Sequence, residues 1–117
     1  MTNSTQAPGK IPDSAQPIQT IFSAEFKRVE TRAPSSFKAH VKDVDKRLNL
    51  LYDHLRKGDL IKEDTIAQLV ELAQALQARE FERAQALQMD IHRDKTEECG
   101  QWMVGVKRLI SMCRATP

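Results

Sequence analysis

The chain has 117 residues, 40 % apolar and 29 % charged, which is one domain's worth of sequence and too apolar for wholesale disorder. Ala and Leu supply 22 positions and Gln nine, against nine Gly plus Pro and 5 % aromatics, a helix-forming mixture that argues against a sandwich or barrel. The formal net charge is +2, from 18 basic and 16 acidic residues, a weaker bias than a dedicated DNA-binding domain shows.

No apolar run approaches the length of about 18 residues that a membrane span needs. The first 20 residues lack the apolar core of a secretory signal. Two cysteines, Cys99 and Cys113, make no disulfide framework and suit a reducing cytosolic or nuclear setting. Charge is distributed in blocks: +3 over residues 21–60, −4 over 61–98 and +3 over 99–117.

Residues 1–20 hold Pro8, Pro12 and Pro17 among Ser, Thr, Asn and Gln, with isolated apolar residues. Such a segment buries too little surface to offset its ordering entropy, so a disordered Pro/Ser/Gln-rich linker is predicted over 1–20. A compact all-α bundle of about five helices is predicted over 21–117. The first helix is expected from about Ser23, as N-cap, to Arg32, with Phe22, Phe26 and Val29 inward and Pro34 ending it.

The second helix is the clearest. Ser35 or Ser36 is its expected cap, and Phe37, Val41, Val44, Leu48, Leu51 and Leu55 recur at spacings of 4, 3, 4, 3 and 4. Gly58 supplies a left-handed stop. The third helix runs from about Lys62 to Ala78, with Glu63 and Asp64 opposing the positive end of its dipole and Ile66, Leu69, Val70, Ala73 and Leu76 inward. A tight polar corner at Arg79-Glu80 leads to the fourth helix, about 80–93, with Phe81, Ala84, Leu87 and Ile91 inward. A break is expected at Asp94–Thr96. The fifth helix then carries Cys99, Met103, Val106, Ile110 and Cys113 on one seam, broadened by Trp102 and Leu109. Gly100 and Gly105 lie inside it, each at a cost of about 1 kcal/mol against Ala. Close approach of a neighbouring helix is the expected reason.

Motifs for chemistry are missing. Four scattered glycines build no phosphate loop. His40, His54 and His92 lie on separate helical stretches, and His92 with Cys99 would need a third metal ligand. Cysteines at seam positions behave as small buried hydrophobes. Pairs such as Glu97-Glu98 and Glu80/Glu82 read as dipole-complementing surface charge. No catalytic residue, cofactor, metal or small-molecule substrate is expected. Lys38, Lys42, Lys46 and Arg47 form a basic cluster along the outer face of the second helix, interrupted by Asp43 and Asp45 and without interleaved aromatics. It reads either as a solvated face or as a contact for acidic protein or phosphates. The residues alone describe a helical bundle that binds something.

One segment is more specific. Gln101, Trp102, Met103, Val104, Gly105, Val106, Lys107, Arg108, Leu109 and Ile110 resemble the signature of the steroid receptor RNA activator protein domain family. The stretches Leu48–Leu60 and Phe81–His92 resemble the helices that precede that signature, so the likeness covers roughly 21–114. The lead-in Thr96-Glu97-Glu98-Cys99-Gly100 and the Pro/Gln/Ser-rich leader look most like the branch that closes the larger subunit of the fungal COPII outer coat. The signature itself reads as structural, with Trp102, Met103, Val106, Leu109 and Ile110 at core spacing, Gly105 admitting a facing helix, and Lys107 and Arg108 left polar.

The resemblance implies that the chain is the end of a larger coat protein. It implies a non-catalytic interaction module that adds weak contacts during transport from endoplasmic reticulum to Golgi. The implied partners are the outer-coat β-propeller protein, neighbouring outer-coat chains and the inner coat. The implied location is cytoplasmic, at the COPII vesicle coat and the cytosolic face of endoplasmic-reticulum exit sites, touching membrane only through the coat. Nucleic acid is not an expected partner of that branch. The other branch of the family implies a stand-alone transcriptional co-regulator that binds protein or RNA.

Overall fold

The computed structural model describes residues 10–116. Five long helices and one single-turn helix make up the bundle, in the order α1 (Gln16–Arg32), α2 (Lys38–Lys57), α3 (Glu63–Gln77), α4 (Phe81–Asp94), α5 (Thr96–Cys99) and α6 (Trp102–Ala115), with no strand among the described residues. The all-α class read from the sequence is the observed one.

The N-terminal boundary differs from the expectation. Within the described part of the expected linker, Ile11, Ala15 and Ile18 are buried. A 3-10 turn over Asp13–Ala15 leads directly into α1, with Pro17 in the first helical turn, where its missing N–H would have no partner anyway. The turn packs on α1 and α3. Among the described residues, burial therefore reaches back to Ile11, ahead of the expected start at Ile21. Residues 1–9 of the expected linker lie outside the described residues. Three isolated apolar residues among prolines look like a linker, although their 4- and 3-residue spacing continues the α1 stripe of Ile21, Phe22, Phe26 and Val29. Ser23 consequently sits mid-helix, its hydroxyl 3.4 Å from the Tyr52 hydroxyl, and caps nothing.

α1 ends where expected. Ala33, before Pro34, is extended at φ −69°, ψ 138°. A 3-10 turn over Ser35–Phe37 opens α2, and neither serine makes a capping hydrogen bond. Phe37 is 53 % exposed, so the α2 seam starts at Val41. Gly58 closes α2 at φ 81°, a left-handed conformation that glycine adopts without steric penalty.

The corner after α3 is a Schellman turn built without glycine. Glu80 N–H donates to Ala75 O at 2.9 Å and Arg79 N–H to Leu76 O at 3.1 Å, while Arg79 takes φ 65°. The break after α4 falls at Lys95, inside the predicted 94–96 window.

A second difference lies in the fifth predicted helix. Gly100, at φ 50°, splits it into α5 and α6. A Cβ at Gly100 would meet nothing within 4 Å, so close helix approach is not its role. Close approach is the role of Gly105, whose added Cβ would lie 2.6 Å from the Arg47 Cβ on α2.

α6 is the hub: it packs on α1, α2 and α4, while α3 packs on α1 and α4. Its buried face carries Trp102, Met103, Val106, Leu109, Ile110, Met112 and Cys113. They share one apolar core with Val44, Leu48, Leu51 and Leu55 of α2 and Leu69, Leu72 and Leu76 of α3. Burying a Leu- or Ile-sized side chain stabilises by roughly 1.5–3 kcal/mol, which is what holds helices together whose caps are mostly unmade.

Candidate interaction surfaces

Lys38, Lys42 and Lys46 recur every fourth residue on α2, and all three are exposed. None has a hydrogen-bond or ion-pair partner among the described residues. Arg47 does not share their face. It turns toward α6, where its Nε donates to Asp43 at 2.9 Å and an Nη to the Gln101 carbonyl at 3.1 Å. Asp43 also accepts from Arg108 of α6. One carboxylate thus serves two guanidiniums, and its hydrogen bond with Arg47 holds it below the usual carboxylate range. The basic cluster read from the sequence separates into an exposed lysine stripe and an arginine that ties α2 to α6.

Of the signature residues, Trp102, Met103, Gly105, Val106, Leu109 and Ile110 are buried. The Trp102 indole N–H donates to Glu98 O at 3.0 Å, joining α5 to α6 across the Gly100 break. Gln101 and Lys107 are exposed, Arg108 is half-buried against Asp43, and Val104 is 37 % exposed. The exposure of Val104 was not read from the sequence. Its position, one residue from each of two core positions, was the available signal.

A second polar cluster joins α1, the Arg79 corner and the end of α6. Glu25, 8 % exposed, accepts from Arg79 at 2.8 Å and Arg28 at 3.1 Å. Arg28 also donates to the Thr116 carbonyl. Cys113 lies beside Glu25, with Sγ 3.7 Å from the carboxylate. Burial first, and the Glu25 charge second, push the Cys113 thiol up to about 12. Burial pushes Cys99 to about 11. Neither thiol is poised as a nucleophile, which needs the thiolate near neutral pH.

His40 packs against Phe37 with ring centroids 6.4 Å apart, and His92 is exposed on α4. Among the described residues no group of three or more His, Cys, Asp or Glu converges as metal ligands would. No helix there is long and apolar enough to cross a membrane. What this surface offers is charged and apolar contact area on a rigid helical body.

The family model described as Steroid receptor RNA activator (SRA1) matches residues 5–117. The chain belongs to this family. Within the matched stretch, Trp102 is fully buried and Gly105 makes the close contact with α2. The chain is also similar to three fungal proteins named protein transport protein sec31. Identity over 107 residues is 57 % with that of Aspergillus oryzae, 59 % with that of Aspergillus fumigatus and 58 % with that of Pyricularia oryzae. Each alignment covers 92 % of this chain and 8 % of the relative. The chain therefore spans under a tenth of the length of these curated relatives.

Proposed function

We propose that this domain is a non-catalytic protein-interaction module of a COPII vesicle outer-coat subunit, adding weak contacts that stabilise the coat during transport from endoplasmic reticulum to Golgi. The observation that carries this reading is the similarity to proteins named for protein transport, at 57–59 % identity across 92 % of the chain. The site chemistry agrees with it. The surface presents partnerless lysines on a rigid helix, and the core takes up the thiols.

Small contacts suit a lattice. Once a coat chain is held by its main interfaces, a further weak contact acts at high effective concentration and adds to firmness while staying reversible. Lys38, Lys42 and Lys46 are the candidate contact residues, facing an acidic patch on the outer-coat β-propeller protein, a neighbouring outer-coat chain or the inner coat. Rim charges of this kind tune association more than they anchor it. The place of action on this reading is the cytosolic face of the exit site.

The test is deletion of residues 10–116 from the full-length protein, followed by reconstituted budding from liposomes. Coat order should loosen, and more so when another weak coat contact is also removed. Unchanged coat order in both settings overturns the reading. Tight, salt-sensitive RNA binding by the domain would replace it with the co-regulator branch of the family.

A further inference from the structure

Two grooves meet on the outer side of α6. The first, of about 500 Å³, lies where α1 ends, between Ala33, Pro34, Phe37 and His40 on one side and Met112 and Ala115 on the other. The second, of about 300 Å³, lies between α4 and α6, lined by Gln88, His92, Val104, Lys107 and Arg108. Ser111 lines both, so the two adjoin at that exposed side chain and make one broken trough along α6. From Val104 to Ala115 it follows α6 for about 16 Å, three turns of helix or about five extended residues.

Two properties set this trough apart. It holds two of the exposed large hydrophobic residues, Phe37 at 53 % and Val104 at 37 %. Among the described residues it also has no carboxylate in its lining. Depressions elsewhere do: Asp43 and Asp53 beside Lys46, Asp64, Asp94, Glu97 and Glu98 at the α5 corner, and Glu80 and Glu82 at the Arg79 corner. Within the trough Lys107 has no partner among the described residues, and Arg108 shares Asp43 with Arg47. The lining thus combines apolar side chains with one cation, Lys107, that has no partner among the described residues.

We propose that this trough docks an acidic, apolar peptide segment of a protein partner. Apolar side chains would cover Phe37, Val104 and Met112, while carboxylates on the same segment meet Lys107 and the half-satisfied Arg108. Apolar contact supplies the affinity and the charges set partner choice and orientation. The inference rests on the reading of the domain as a protein-interaction module, and it assigns that module a surface separate from the Lys38–Lys42–Lys46 stripe.

The test is selection of binders from a random peptide display library against the 117-residue chain, with amide chemical-shift mapping of the selected peptides. Selected peptides should combine Leu, Ile or Phe with Asp or Glu, and shifts should cluster at 29–40 and 100–116. V104E/K107E should weaken binding by about tenfold or more, and K107E alone by a smaller factor, without moving the melting temperature, because both side chains are exposed. K42E should leave binding unchanged. Basic peptides, no peptides, or shifts centred on the lysine stripe would overturn the proposal. So would sedimentation with phosphatidylserine vesicles that K107E abolishes in the absence of any selected peptide, since that would make the trough a lipid contact. Failure here leaves the budding experiment unaffected, and failure of budding with an intact peptide contact would remove only the coat reading.

Discussion

Gly105 of α6 sits so close to Arg47 of α2 that a side-chain carbon on the glycine would lie 2.6 Å from the arginine Cβ and 3.4 Å from two atoms of the α2 backbone. The Arg47 Cβ is fixed to that backbone and cannot swing away. Gly105→Ala gains about 1 kcal/mol of helix propensity but forces α2 outward, and overpacking of this kind costs roughly 1–3 kcal/mol. A net loss of up to about 2 kcal/mol is expected, or as much as several degrees in melting temperature for a domain of this size. A thermal melt checks it, and a variant about 1 kcal/mol more stable than the parent would show that the two helices part without cost.

Trp102 is fully buried, and its indole N–H is held by the Glu98 carbonyl. Trp102→Ala should lose about 3–5 kcal/mol, the range for removing a large aromatic from a core. Trp102→Phe should lose less, since it keeps most of the apolar contact and gives up the hydrogen bond. Urea denaturation orders the three proteins. Parent-like behaviour of Trp102→Ala, together with loss of a binding partner, would make Trp102 a surface anchor.

The legible parts of this fold were those with a strong period. The α2 seam from Val41 to Leu55, the α6 seam from Met103 to Cys113, the Gly58 stop and the Arg79 corner all follow from the residues. The start of α1 did not, because Ile11, Ala15 and Ile18 are each alone among polar residues and gain their burial only from tertiary packing. The role of Gly100 was misread because its φ of 50° ends a helix that the apolar pattern continues through. The lysine stripe was legible. The removal of Arg47 from it was not, although Asp43, four residues earlier, marks the pairing in hindsight. The trough was invisible to sequence because it depends on what α1, α2 and α4 leave uncovered beside α6.

Arg79 occupies a left-handed position that normally belongs to glycine, and it uses its side chain to reach Glu25 at 2.8 Å. A left-handed non-glycine residue costs about 1–2 kcal/mol. Arg79→Ala should lose the ion pair and keep the strain. Arg79→Gly should lose the pair and relieve the strain, so it should be the more stable of the two by about 1 kcal/mol. Equal urea midpoints for the two variants would mean that the corner carries no strain.

Asp43 and Asp64 have carboxyls held below the ordinary 3.8, by hydrogen bonds first from Arg47 and first from Lys95 respectively. A value depressed on folding means that the unfolded chain takes up its proton first as acid is added. The contribution to stability is therefore complete above pH 3.8 and is lost as pH falls through the lower folded value. Both groups are partly exposed, so added salt should shrink the effect. Asp43→Asn should be less stable than the parent near neutral pH and converge with it in acid. Parallel stability curves for the two proteins across that range would contradict the argument.

Lys42 and Arg47 began as members of one basic cluster and should now behave differently. Lys42 is exposed without a partner among the described residues, so Lys42→Glu should change stability by no more than about 0.5 kcal/mol. Arg47 is 25 % exposed and holds both Asp43 and the Gln101 carbonyl. Arg47→Glu places a second carboxylate against Asp43 and leaves that carbonyl without its donor, which should cost about 1–3 kcal/mol. The separation matters for any test of coat assembly. A defect from Arg47→Glu would reflect a loosened α2–α6 contact as much as a lost partner. A defect from Lys38→Glu, Lys42→Glu and Lys46→Glu combined, in a protein that still melts like the parent, would identify a contact surface. If Arg47→Glu also melts like the parent, the Asp43–Arg47–Gln101 link contributes nothing to the fold, and Arg47 returns to the candidate surface.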